Sequence, residues 1–368
     1  MNILFITSHL NAGGITSYLM TLSKGMIAKG HSVHIISAGG GMENYFRGEG
    51  VYLSNSIVRT KSIFNVRLYT ALPNLVNYVK RNDIDVIHSH TRVTQVIGRL
   101  LGSITQKVYV STCHGFFKRR LGRRLFGCWG DGVVAISEAV YGHLINDFKV
   151  KESKLHLVES GVDCDYFSER DEKAIGVIKE KYSLANKTTI GLVARYSDVK
   201  GQDILVKAMA KVVLKNKNIK LLLVGEGKLE SYLKELVEEN NLSTYIQFIP
   251  VVNQAKHYLH AFDITVIPSR QEGLGLSVLE AQAASCPVIG SNVGGIPQII
   301  TDKQTGVLVE KENVETLAEA IVSLSENTKY CEQLSTNALV SVREKFGVNK
   351  MIVKTIAVYE DLVKQAVL

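Results

Sequence analysis

Residues 264–280 read ITVIPSRQEGLGLSVLE. The β-branched run 264–268 predicts a buried strand, and Ser269, Arg270 and Gln271 form a polar loop behind it. Gly273 and Gly275 then open a helix expected over 276–285, where glycine lets backbone N–H groups approach a ligand and a helix N terminus favours phosphate or hydroxyl oxygens. Glu272 stays in the loop, while Glu280 lies about one turn inside the helix. Carboxylates so placed suit different parts of one elongated ligand, although either alone could be a solvated side chain. A strand handing a glycine loop to a helix is one unit of a doubly wound parallel sheet, whose ligands sit beyond the carboxyl ends of the strands.

The same unit recurs in both directions along the chain. Short strands are expected near 3–7, 32–38, 85–90, 107–113, 132–137 and 155–159, and again near 188–195, 220–225, 245–249, 264–268, 287–290 and 305–309, alternating with helical patterns. Two such series in 368 residues predict two domains, with the polar stretch 163–185 as the linker. With 46% apolar and 21% charged residues, a disordered or fibrous chain is excluded. Five cysteines without a CxxC pair argue against a disulfide framework or structural zinc and for a reducing cytoplasm. No basic region precedes the first apolar stretch and no apolar run reaches the ~18–20 residues of a membrane span, so the expectation is a soluble or peripheral protein. Charge is uneven: residues 1–150 carry 17 Lys and Arg against 7 Asp and Glu, the remainder 26 against 28. The basic half suits an anionic partner, or simply solubility.

Three further stretches invite chemistry. Gly13 and Gly14 follow the first strand at a helix start, a weak signal that does not match GxGxxG. Arg195 and Lys200-Gly201 follow the first strand of the second series, where two fixed cations could hold the phosphates of a nucleoside diphosphate; ordinary surface charge reads the same way. Lys118, Arg119, Arg120, Arg123 and Arg124 place five cations in seven residues among Phe116, Phe117, Leu121, Leu125, Phe126 and Trp129. That mixture suits an anionic membrane surface or a lipid-linked acceptor. Nucleic acid ranks lower for want of a recognisable module, and a partnerless loop stays open.

Taken together these motifs resemble retaining glycosyltransferases of family 4, which have the GT-B fold. Glu272 and Glu280 match that family's E-x7-E motif, and Arg195 with Lys200-Gly201 its diphosphate clamp. Ser160-Gly161-Val162-Asp163 with Phe167 resembles its N-G-V-D segment, Gly225-Glu226-Gly227 its G-x-G turn, and Gly294-Gly295-Ile296-Pro297 its G-G turn. Gly13-Gly14 and Thr112-Cys113-His114-Gly115 resemble its N-terminal loops. The pattern covers nearly the whole chain; Ala194 and Gln298 depart from it, at positions where the family often has Gly and Glu.

The resemblance implies two Rossmann-like domains facing a central cleft: residues 1–168, rejoined by a final helix 351–368, and a donor-binding domain 169–350. It implies a nucleotide-sugar donor, with Arg195 and Lys200 on the diphosphate, Glu280 on the ribose, and Glu272 with the amides of Leu274, Gly275 and Leu276 on the sugar. His114 is implied near the reacting sugar, with Gly13 and Gly14 in the donor loop; His88 and His90 read as structural. The expected reaction is metal-independent, cofactor-free, retaining transfer to a lipid-linked or cell-envelope glycan, of the lipopolysaccharide or exopolysaccharide type, in the cytoplasm or on the inner face of its membrane. Asp163-Cys164-Asp165 is a D-x-D sequence of the kind that holds a metal in other glycosyltransferases; here it falls in the segment before the linker and reads as structural. A GT-B sugar-nucleotide epimerase or hydrolase, or a non-catalytic sugar-nucleotide binder, are the alternatives.

Overall fold

The computed structural model describes residues 1–57, 60, 62–119 and 121–367; Arg120 of the basic stretch and Leu368, the last residue of the expected helix 351–368, lie outside them. The chain divides into two compact units, Met1–Gly161 with Val348–Leu368, and Val162–Gly347.

In the first unit seven strands pair in parallel: β1 (Asn2–Ile6), β2 (Ser32–Ile36), β3 (Tyr52–Ser54), β4 (Val86–Ser89), β5 (Val108–Cys113), β6 (Gly132–Ala135) and β7 (Leu155–Leu157). Their order is β3-β2-β1-β4-β5-β6-β7. Ile3, Leu4, Phe5 and Ile6 are all fully buried, because helices cover both faces and the strand needs no polar alternation. β3 was not expected; at three residues, with Tyr52 60% exposed, it is an edge strand too short to show a pattern. The final helix, Val348–Val367, puts Met351, Ile352, Tyr359 and Leu362 into the core beside Leu19, Leu22 and Met26 of the helix Gly14–Ala28. Gly25 makes that contact close, since a Cβ there would stand 1.9 Å from Ile352 Cδ1.

The second unit is a six-stranded parallel sheet of β8 (Thr188–Val193), β9 (Ile219–Val224), β10 (Ile246–Ile249), β11 (Ile264–Ile267), β12 (Val288–Ser291) and β13 (Val307–Val309). The order β10-β9-β8-β11-β12-β13 reverses between β8 and β11. The stretch 163–185 is not a linker. Asp163 caps a helix, Cys164–Ser168, and Asp171 caps a second, Glu172–Lys181, that buries Ile175 and Ile178. Its charges form the outward face of a helix whose apolar stripe is only two residues wide, so composition alone reads as a linker. The boundary therefore falls at Gly161/Val162, ahead of the expected 168, and Val162 bridges Gly347 at the other end of the same unit.

Candidate functional site

The strand order of the second unit places the loops after β8 and β11 side by side at its topological switch point, where doubly wound sheets bind ligands. Those loops carry Arg195 and Lys200, and Glu272. The first loop tightens into a short turn, Asp198–Lys200, and Gly201 takes a left-handed φ of 68° to start the helix Gln202–Lys215. A Cβ on Gly201 would lie 2.0 Å from the Pro268 carbonyl oxygen, so glycine lets the two loops touch. Across that contact Lys200 Nζ donates to Glu272 Oε2 at 2.6 Å, and Ser269 Oγ donates to the same oxygen at 3.1 Å.

Arg195 is exposed and, among the described residues, its guanidinium has no carboxylate partner; its carbonyl accepts from Gln202 Nε2 at 3.0 Å. The loop is held from below by Tyr196, which is buried and whose hydroxyl donates to the Leu223 carbonyl at 2.7 Å. Gly225 and Gly227 press against Ala194 and Tyr196: a Cβ on either would meet a carbonyl oxygen at 2.1 Å. Glycine at Gly295 has the same origin, since a Cβ there would stand 2.5 Å from Leu274 Cα, and its N–H donates to the Glu272 carbonyl at 3.3 Å.

Gly275, at φ 114°, caps the helix Leu276–Ala283, and the Val278 and Leu279 N–H groups donate to its carbonyl, so the N–H groups of Leu276 and Ser277 precede the first intrahelical bond. Leu274 is 1% exposed, so only its backbone can serve a ligand. Glu280 is half-buried on that helix; desolvation pushes its carboxyl up to about 7, against the pull of the Lys200 charge. The structure thus brings Lys200, Glu272 and the Gly275 helix start together, while among the described residues the Arg195 side chain makes no hydrogen bond or ion pair with them. Asp163 and Asp165 are engaged elsewhere: Asp163 Oδ1 accepts from the Tyr166 N–H at 3.0 Å and Asp165 pairs with Arg343 at 2.9 Å.

The first unit has its own switch point between β1 and β4. Gly13 (φ 152°) caps the helix Gly14–Ala28 there, with open space around its Cα, and Gly14 is exposed. His114 follows β5, half-buried, with Nε2 3.1 Å from His90 Nδ1 and its ring edge-on to Tyr18. Burial drives its pKa down to about 3, so the ring is neutral. His88 joins Tyr359 of the final helix and Thr112 of β5, anchoring the histidine cluster.

The basic stretch is not uniformly available. Arg123 lies 3.3 Å over the Phe117 ring and donates to Gln95 Oε1, and Arg119 pairs with Asp147 at 2.5 Å. Lys118 and Arg124 are exposed, as are Leu121 (71%) and Phe126 (72%). Sequence reading missed Arg92, which donates to the Phe126 and Gly127 carbonyls at 2.7 Å, and read Arg270 of the second unit only as a polar loop residue. Their partners are distant in sequence, so no linear spacing signals them. Among the described residues no helix is long and apolar enough to cross a membrane.

The fold has counterparts among known proteins. The sequence profile of Glycosyltransferase Family 4 matches residues 12–166 and that of Glycosyl transferases group 1 matches residues 176–340. The N-acetyl-alpha-D-glucosaminyl L-malate synthase of Bacillus anthracis is 26% identical, over 98% of this chain and 97% of its own. The UDP-Gal:alpha-D-GlcNAc-diphosphoundecaprenol alpha-1,3-galactosyltransferase of Escherichia coli is 26% identical over 82% of each chain. HepE of Anabaena, solved with UDP and glucose, has the same fold, with a TM-score of 0.87 at 19% identity over 98% of this chain and 100% of that one. With two consecutive profiles that together span most of the chain, relatives matched over nearly their full length and both parallel sheets in place, the chain belongs to the GT-B glycosyltransferases of group 1 and family 4.

Proposed function

We propose that this chain transfers a sugar from a nucleoside diphosphate sugar, with retention at the anomeric carbon and without a metal ion, to a lipid-linked or cell-envelope glycan. The observation that carries the reading is the Lys200–Glu272 pair at the β8/β11 switch point, beside a glycine-started helix. When the bond from the anomeric carbon to the diphosphate breaks, negative charge gathers on the leaving diphosphate. Fixed cations stabilise that charge without reorganising. Lys200 is held ready for this by Glu272, and exposed Arg195 is the second cation. Glu272 then has an oxygen to accept from a sugar hydroxyl, and Glu280 can accept from ribose hydroxyls. His114, neutral beside His90, serves as a hydrogen-bonding group and not as a cation.

The protein partners of Asp163 and Asp165 support reading the D-x-D sequence as structural and the reaction as free of metal and cofactor. UDP is the first donor nucleotide to test and a lipid diphosphate the first acceptor, by likeness to the E. coli relative. Exposed Lys118 and Arg124 beside Leu121 and Phe126 support peripheral docking on an anionic membrane, with the chain on the cytoplasmic side. Screening nucleotide sugars by thermal shift tests the donor assignment: ligand at ~100 Kd stabilises by about 2.7 kcal/mol. A cognate donor gives that shift, and its nucleotide is released only when an acceptor is supplied. Release without an acceptor identifies an epimerase or hydrolase, and binding without turnover a non-catalytic binder.

A further inference from the structure

Arg270 is the most heavily bonded cation in the second unit among the described residues, and the site chemistry above gives it no task. Its guanidinium spends four of five N–H donors on protein. Nη1 donates to Asp203 Oδ1 at 2.9 Å and to the Asp198 carbonyl at 2.8 Å, Nη2 to Asp203 Oδ2 at 2.7 Å, and Nε to Glu312 Oε1 at 2.7 Å. Its backbone N–H donates to the Val199 carbonyl at 2.9 Å. The Asp198 carboxylate stands 3.5 Å away.

These partners have a common feature. Asp198 and Val199 are in the turn that ends at Lys200, Asp203 is in the first turn of the helix that Gly201 starts, and Arg270 itself is two residues before Glu272. One side chain therefore straps the loop carrying Lys200 to the loop carrying Glu272. It also sets a positive charge among three carboxylates, Asp198, Asp203 and Glu312, one of them (Asp203) only 12% exposed. Without it those carboxylates would draw the Lys200 ammonium away from Glu272 and from the diphosphate it is placed to meet.

We propose that Arg270 is a positioning residue, which fixes the Lys200 turn against the Glu272 loop and keeps the surrounding carboxylates from competing for Lys200. The bidentate geometry to Asp203 matches a guanidinium and not an ammonium, so lysine cannot replace it. The burial-resistant charge of Arg270, held firmly protonated by Asp203 and Glu312, fits that task. The part of this inference that concerns diphosphate binding rests on the donor reading above; the part that concerns the loops does not.

Two measurements on Arg270→Gln and Arg270→Lys separate these parts. Hydrogen exchange of the unliganded protein is the first. Amides in 196–201 and 269–276 exchange faster in both variants, while those of β8 and β9 keep their wild-type protection. Unchanged exchange in the two loops, or an even rise across the unit, overturns the proposal whatever the protein binds. Because Arg270→Gln leaves Asp203 unpaired, Arg270→Gln with Asp203→Asn is run beside it; the same two loops loosen in a variant without that buried charge. The second measurement is affinity for UDP, or for whichever of GDP, ADP and dTDP stabilises the wild type most. Removing groups that orient a binding residue costs about 10–100-fold at metal sites, and roughly 10-fold is expected for Arg270→Gln here. In a Lys200→Ala background Arg270→Gln costs nothing more, since its effect runs through Lys200. An equal, multiplying loss in that background marks a general structural role and overturns the proposal. If no nucleoside diphosphate binds the wild type, the donor reading falls while the exchange result still decides the case of Arg270.

Discussion

At Glu280 a carboxyl held at about 7 has consequences in the neutral range. Its folded form binds a proton more readily than the unfolded chain, so its contribution to stability is present below about 4.5 and is lost as pH rises through about 7. Donor binding runs the other way. Two ribose hydroxyls donate best to an ionised carboxylate, so nucleoside diphosphate affinity rises with pH, by up to about tenfold per unit below 7. Titrating affinity between pH 6 and 8 in the wild type and in Glu280→Gln separates this from titration of the ligand's own phosphate. The variant's profile follows the ligand alone; a wild-type profile identical to the variant's removes Glu280 from the ribose.

At the scale of elements, glycines divide into those that shape the site and those that do not. Gly176 lies inside the helix Glu172–Lys181 with nothing within 4 Å of an added Cβ. Gly176→Ala should raise stability by about 0.5–1 kcal/mol through helix propensity. Gly201→Ala forces a methyl onto the Pro268 carbonyl at a left-handed φ, so it should lower the melting temperature and weaken nucleotide binding together. Thermal melts of both variants check the contrast. The basic stretch divides in the same way. Lys118→Ser with Arg124→Ser removes only exposed charge and should cost about 2 kcal/mol of affinity for anionic vesicles, at about 1 kcal/mol per cation. Arg123→Ser loses its Phe117 contact and should instead destabilise the fold. Sedimentation with anionic vesicles that is the same for wild type and the double variant would return the stretch to ordinary surface.

Apart from the short edge strand β3, the strands of both sheets were legible in the sequence because parallel strands buried on two faces read as continuous apolar runs, as 264–267 does. Lys200 and Glu272 were legible as separate motifs, but the ion pair between them was not, since it joins loops 72 residues apart. Arg270 was visible only as one polar residue of a loop, because Asp198, Asp203 and Glu312 reach it through the strand order. The helix Glu172–Lys181 was hidden by its charged outer face. Arg119 and Arg123 looked equivalent to Lys118 and Arg124 until Asp147 and Phe117 were placed beside them.

At the scale of the whole molecule, the proposed reaction turns on fixed cations that stabilise a leaving diphosphate. The direct test is nucleotide release from the cognate nucleotide sugar, with acceptor and with EDTA present, by wild type, Arg195→Ala and Lys200→Ala. Loss of one electrostatic donor of this kind costs roughly 10²–10³ in turnover. Undiminished wild-type activity in EDTA and a loss of that size in each variant are expected, with melting temperatures kept close to wild type. Wild-type turnover in Lys200→Ala, or activity that EDTA abolishes and Mn²⁺ or Mg²⁺ restores, would contradict the proposed reaction.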